Sequence, residues 1–139
     1  MPGWQADSLR VAIEMESGSG SFDAAKGTFE EIRQYLAKAG AKVPGELPGG
    51  LARSESLGCK RIRVGEHAGV VICFMLDSGK EAHLVVVDSG DLPGLPPAGE
   101  ADYRSEKGWN LATWTDGAQS YVLATTDDVA ALKKIVGRV

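Results

Sequence analysis

The chain has 139 residues, 43% apolar and 24% charged, with a net charge of −4. That length suits one domain with its own core, and the composition is globular rather than disordered. The excess of acid excludes the electrostatic footprint of a nucleic-acid-binding protein; the densest basic cluster, Lys60, Arg61 and Arg63, is interrupted by Ile62.

No segment approaches the roughly 18 consecutive apolar residues of a membrane span. Trp4-Gln5-Ala6-Asp7 follows Met1 without the basic start and apolar stretch of a signal peptide, so none is expected. Leu9, Val11, Ile13 and Met15 alternate with Arg10, Ala12, Glu14 and Glu16, a period of two that predicts a half-buried strand over 8–16. Segments 1–7 and 17–27 read as flexible flanks of a single domain spanning 1–139.

Thr28-x-x-Glu31 is a capping box, and Phe29, Ile32 and Leu36 follow at helical spacing, with Gly40 as a left-handed stop. A helix is expected over about 29–39, then a turn-rich crossing over 44–50. Strands are expected over about 58–64, 69–76 and 81–88, joined by Gly65-Glu66-His67 and Asp77-Ser78-Gly79. Val70–Leu76 and Leu84–Val87 are apolar at nearly every residue, as in central strands. Residues 89–107 read as a long Gly- and Pro-bearing loop, a length often associated with function or mobility.

Asp116-Gly117 between 109–114 and 118–125 signals a further hairpin. Thr126-Asp127-Asp128 opens a closing helix with the apolar stripe Val129, Leu132 and Val136. The sum is an α+β fold: an antiparallel sheet of about six strands with two helices on one face, ordered β-α-β-β-β-β-β-α. That arrangement is similar to TATA-binding-protein-like folds, a likeness of architecture alone.

The chemistry-bearing residues are few. If Gly65-Glu66-His67 is a three-residue loop, Cys59 falls opposite Cys73 at a separation a disulfide can bridge. The alternatives are that bridge or two buried free thiols. If Ser78-Gly79 is a two-residue loop, Phe74 pairs with His83, and Cys73 and His83 occupy opposite faces of the sheet. No metal site is then expected, and no redox site either, because Cys-x-x-Cys is absent.

No Gly-x-Ser-x-Gly elbow accompanies His67 or His83. Asp77, Asp88, Asp91 and Asp116 fall where turns favour aspartate. Lys26-Gly27-Thr28 and Gly18-Ser19-Gly20 fail as phosphate loops, so neither a cofactor nor catalysis is expected. Trp109, Trp114 and Tyr121 are either cross-strand core or, with His83, an interaction surface. A three-residue loop between the last two strands groups Trp109 with Tyr121; a two-residue loop groups Trp114 with Tyr121.

The run from Leu9–Met15 through Tyr35-Leu36-Ala37-Lys38-Ala39-Gly40, Leu57-Gly58-Cys59, Val70–Phe74, Ala82–Val87, Gly108-Trp109, Ala112-x-Trp114 and Tyr121-x-Leu123 resembles the extracytoplasmic portion of bacterial membrane-anchored, anti-sigma-factor-like regulators. The family's cytoplasmic zinc-binding segment and its membrane helix have no counterpart in these residues. The resemblance implies a non-catalytic sensing or protein-interaction domain outside the cytoplasm, with a protein partner and membrane attachment only through an anchor. It also implies an oxidising compartment for Cys59 and Cys73. The alternative is a small-molecule-binding domain with a pocket between the sheet and the 89–107 loop. An enzyme using His83 or a cysteine is the third reading.

Overall fold

The computed structural model describes residues 1–18, 21–41 and 47–137. In chain order the elements are α1 (Gly3–Glu16), β1 (Ala24–Gly27), α2 (Phe29–Lys38), α3 (Gly49–Ala52), β2 (Glu55–Val64), β3 (His67–Met75), β4 (Glu81–Val87), β5 (Asp102–Glu106), β6 (Trp109–Thr115), β7 (Ser120–Thr125) and α4 (Val129–Val136). All seven strands join one antiparallel sheet in the order β1-β2-β3-β4-β7-β6-β5. The fold is α+β, as expected, but the helices lie on both faces, unlike the expected TATA-binding-protein-like layout.

The largest departure is at the N-terminus, where 8–16 is helix rather than strand. The buried residues Trp4, Gln5, Ser8, Leu9, Val11, Ala12 and Met15 recur at three- and four-residue spacing, a stripe that begins before the apparent alternation. Pro2 starts the helix, its carbonyl accepting from the amides of Gln5 and Ala6. Ser8 turns its hydroxyl back onto the Trp4 carbonyl, which lets a polar residue sit against the sheet with its hydrogen bond satisfied. Residues 3–7 of the expected N-terminal flank thus belong to α1, and 24–27 to β1. Residues 19 and 20 of the other flank, and 44–46 of the expected crossing, lie outside the described residues.

The sequence signals for α2 and α4 match the structure, whereas α3 forms at the end of the expected turn-rich crossing and brings the helices among the described residues to four, not the expected two. Thr28 and Glu31 close both halves of the capping box on α2, and Gly40 ends it at φ +76°. Asp128 caps α4 by accepting from the Ala131 amide. The unanticipated β5 occupies the end of the expected 89–107 loop and pairs with β6. Its tight turn, Lys107-Gly108, has positive φ at both positions (53° and 80°), the geometry favoured in two-residue hairpins.

Each face of the sheet carries its own core. Ile32 and Leu36 of α2, Leu51 of α3, and Leu132 and Val136 of α4 pack on Cys59, Val70, Ile72, Phe74, Leu84, Trp114, Tyr121 and Leu123. On the other face, Trp4, Leu9, Ala12 and Met15 of α1 cover Val64, Val71, Cys73, Val85, Val87, Leu111 and Val122, joined by Leu92 and Trp109. The second face is therefore filled by α1 and the stretch after β4, and is not free for a partner. Trp4 Nε1 donates to the Pro93 carbonyl at 2.8 Å and ties that stretch to the helix.

Gly90 allows the same stretch to touch the β6–β7 turn. A Cβ there would lie 2.0 Å from the Gly117 carbonyl oxygen, which is backbone and has no rotamer to yield. Gly90→Ala is expected to destabilise the fold by about 1–3 kcal/mol in urea titration. Gly49→Ala, with nothing within 4 Å of the added carbon, is the near-neutral comparison.

Candidate functional site

The β2–β3 turn is Gly65-Glu66, two residues long, because Val64 pairs with His67. This places Ile72, not Cys73, opposite Cys59. The two thiols point to opposite faces, Cys59 into the three-helix core and Cys73 into the α1 core, and both are free. The expected disulfide alternative is thereby corrected in favour of two buried thiols, because paired residues share a face and neighbours along a strand do not. Neither thiol is expected to react with an alkylating reagent in the native protein, and both should react in denaturant. A change in intact mass on reduction alone would contradict this geometry.

A second one-residue difference creates the most concentrated chemistry in the chain. Leu76 and Lys80 pair across Asp77-Ser78-Gly79, a three-residue loop, with the Leu76 amide donating to the Lys80 carbonyl at 2.8 Å. Cys73 therefore stands directly opposite His83, and the two share the α1 face. His83 Nδ1 lies 3.0 Å from Cys73 Sγ, and Nε2 lies 3.2 Å from Glu16 Oε1 in the last turn of α1. Glu81, two residues before His83 on β4, brings Oε1 to 4.0 Å from the same nitrogen. The imidazole is fully buried, and the Trp109 ring lies against it with centroids 5.9 Å apart.

Burial sets the protonation of this group. It pushes the Cys73 thiol up to about 12, with the negative charges of Glu81 and Glu16 acting in the same direction. The side chain is a thiol and not a nucleophilic thiolate. Burial also lowers the pKa of His83, outweighing the hydrogen bond and charge of Glu16, which favour the imidazolium. With both groups neutral, the thiol and the imidazole are satisfied when Cys73 Sγ–H donates to Nδ1 and Nε2–H donates to Glu16.

A pH dependence follows. The unfolded imidazole titrates near its ordinary 6.5 and the folded one lower. Its contribution to stability is complete above that value and is lost as the pH falls from 6.5 through the folded pKa. The urea midpoint of the wild type should thus drop between about pH 7.5 and about pH 5.5, more steeply than that of His83→Gln. Parallel profiles would contradict the burial of a neutral imidazole.

The remaining expected site residues are structural. Trp114 and Tyr121 face each other across β6 and β7, stacked at 5.3 Å between centroids. Asp116 donates its amide to the Gln119 carbonyl across Gly117-Ala118, a two-residue loop, which groups Trp114 with Tyr121 as the two-residue alternative expects. Tyr121 donates its hydroxyl to Asp116 Oδ2 at 2.6 Å. His83, Trp109, Trp114 and Tyr121 are all at most 8% exposed, so the expected interaction surface is core in this conformation. Glu16 and Glu81 escaped the sequence reading. Glu81-x-His83 on one strand face is a visible signal; Glu16 has none, because its segment carries a strand's period of two.

Among the described residues, surface grooves accompany this buried cluster, and two are of note. The larger, about 590 Å³, lies between α3, the β3–β4 turn and α4, with Leu76, Ala131 and Ile135 among apolar linings and Arg53, Asp77, Asp127 and Lys134 among charged ones. Ser78 donates to Asp127 Oδ2 at 2.7 Å and joins the turn to the start of α4. Gly50 permits the close approach of α3, since a Cβ there would meet the Ile135 Cα at 2.7 Å. The smaller groove, about 270 Å³, lies between Ala39–Ala41 and strands β2 and β3. Neither is lined by residues of the 89–107 segment.

Among the described residues, Glu16, Glu81 and His83 form a group with donor atoms all within 4.8 Å of one another, a set able to hold a metal ion. No described helix is long and apolar enough to cross a membrane. No protein-family model, curated protein or solved structure matches the chain.

Proposed function

We propose that the chain is a non-catalytic recognition module, the extracytoplasmic sensing or protein-interaction part of a membrane-anchored, anti-sigma-factor-like regulator, and that a protein partner engages the groove between α3 and α4. The observation that carries this reading is the groove itself, which combines an apolar lining with charges of both signs on the surface. Such a combination suits a polypeptide, whose side chains offer both kinds of contact. The buried, protonated Cys73 speaks against thiol catalysis, since a nucleophile must be ionised and reachable.

The test is a promoter reporter in the native host, comparing the wild-type gene with Arg53→Glu/Lys134→Glu. Both side chains are exposed, so the variant should fold as the wild type does. A changed promoter output with an unchanged melting temperature supports the reading. Unchanged output, with the variant present at wild-type abundance, removes it.

A small-molecule-binding domain is the second reading, favoured by the groove's volume of about 590 Å³, which lies within the usual ligand-pocket range of roughly 300–1,000 Å³. It differs from the sequence expectation in position, lying at α3 and α4 rather than against the 89–107 segment. A metabolite that raises the melting temperature of the wild type and not of the double variant would favour it.

A further inference from the structure

We propose that Glu16, Glu81 and His83 bind a divalent first-row transition metal of the zinc type, with Cys73 orienting the imidazole from behind. This goes beyond the groove reading and is independent of it, because the cluster lies on the opposite face of the sheet from α3 and α4.

Three observations carry the proposal. First, two carboxylates converge on one ring nitrogen, Nε2, at 3.2 Å and 4.0 Å. A neutral imidazole has a single proton there and satisfies only one of them. Among the described residues no lysine or arginine pairs with either glutamate. A divalent cation would satisfy both. Second, the spacing suits a metal. Tetrahedral zinc with bonds of about 2.0–2.1 Å holds its ligand atoms roughly 3.3 Å apart. Glu16 Oε1 already meets that spacing to Nε2, and the remaining distances, 4.0 Å from Glu81 to Nε2 and at most 4.8 Å within the group, close by movement of the two partly exposed carboxylates. Third, Glu16 ends α1, whose last turn contains Glu14 and Glu16 and no basic residue. The Glu16 carboxylate stands at the negative end of the helix dipole, where a cation, not an acid, is favourable, while Glu14 is already paired with Arg10.

The surroundings are those of a supported ligand. His83 is fixed in a central strand between β3 and β7, and its second nitrogen is held by Cys73 Sγ at 3.0 Å. Metal-bound histidines regularly donate their other ring N–H to a carboxylate, carbonyl or water, and here the Cys73 sulfur, a weaker acceptor, takes that place. When the metal takes Nε2, the imidazole proton resides on Nδ1 and is donated to the Cys73 sulfur. The ring stays neutral and no net proton is released from it. The carboxylates are 28% and 31% exposed while the imidazole is fully buried, so the ion enters from the carboxylate side. One nitrogen with two oxygens matches zinc or a neighbouring metal better than calcium or magnesium, which prefer oxygen alone. The bound ion would pin the end of α1 to β4.

The test is calorimetric titration of zinc chloride into the untagged chain, with cobalt(II) as a spectroscopic substitute. The expected result is one zinc per chain, a raised melting temperature, and affinity at least roughly tenfold weaker in each of Glu16→Gln and Glu81→Gln. These near-isosteric changes retain the fold by circular dichroism, and His67→Gln binds as the wild type does. Absence of binding by the wild type, or affinity indistinguishable between it and both glutamine variants, would overturn the proposal. So would a thiolate-to-cobalt charge-transfer band, which would make Cys73 a direct ligand.

Discussion

Phe74→Ala is expected to remove about 3–5 kcal/mol of folding stability. Phe74 is fully buried on β3 and packs in the core shared with α2, α3 and α4. Its neighbours come from strands held in register on both sides, so the structure cannot close over the space left by the ring. Domains of this size are stable by about 5–15 kcal/mol, so the loss takes from about a fifth to nearly all of the total. Urea denaturation followed by far-ultraviolet circular dichroism measures the loss directly. A change below about 1 kcal/mol would mean that the three helices do not press on the sheet as described.

Trp109→Ala is expected to cost a similar amount, about 3–5 kcal/mol, for a reason on the opposite face. Trp109 is 8% exposed, packs in the core under α1 and lies against the His83 ring. A tryptophan kept on the surface for a partner would leave stability within about 0.5 kcal/mol when truncated. The measurement therefore separates the core role from the interaction role that its residue type also suggested. The variant should in addition admit solvent to His83, bringing the imidazole back toward its ordinary titration and flattening the acid-side loss of stability.

The features legible in the sequence were those with local causes. The Thr28–Glu31 box, the Gly40 stop and the Asp128 cap each depend on a few adjacent residues, and α2 and α4 form where those signals place them. Strands β3, β4, β6 and β7 are visible as apolar, β-branched runs between glycine-bearing turns, and β2 as a strand-like pattern from residue 58. The short strands β1 and β5 were not. Ala24–Gly27 contains no β-branched or aromatic residue, and Asp102–Glu106 is largely polar, as a protected sheet edge requires.

Register was the information the sequence lacked. Where one face of a sheet meets water, a one-residue slip exposes apolar side chains and is penalised. In β3 the run Val70–Phe74 is buried on both faces, and in β4 so is Ala82–Val87. Either parity buries the same amount of apolar surface, so the hydrophobic pattern cannot choose between loops of two and three residues. The tertiary structure chooses, and each choice moves a functional group. A two-residue β2–β3 turn separates Cys59 from Cys73, and a three-residue β3–β4 loop brings Cys73 to His83.

The first predicted strand illustrates the same limit at the level of secondary structure. Residues 8–16 carry a period of two and, once Trp4 and Gln5 are included, a helical stripe as well. What decides between them is the second apolar face of the sheet, which a helix covers and one more strand in the same sheet does not. The sequence by itself determined the α+β class, the antiparallel hairpins, the capped helices α2 and α4 and the acidic, globular character of the chain. Only the tertiary structure decided strand parity, the identity of α1 and the meeting of Glu16, Glu81 and His83, because these depend on contacts between segments that carry no local signal of one another.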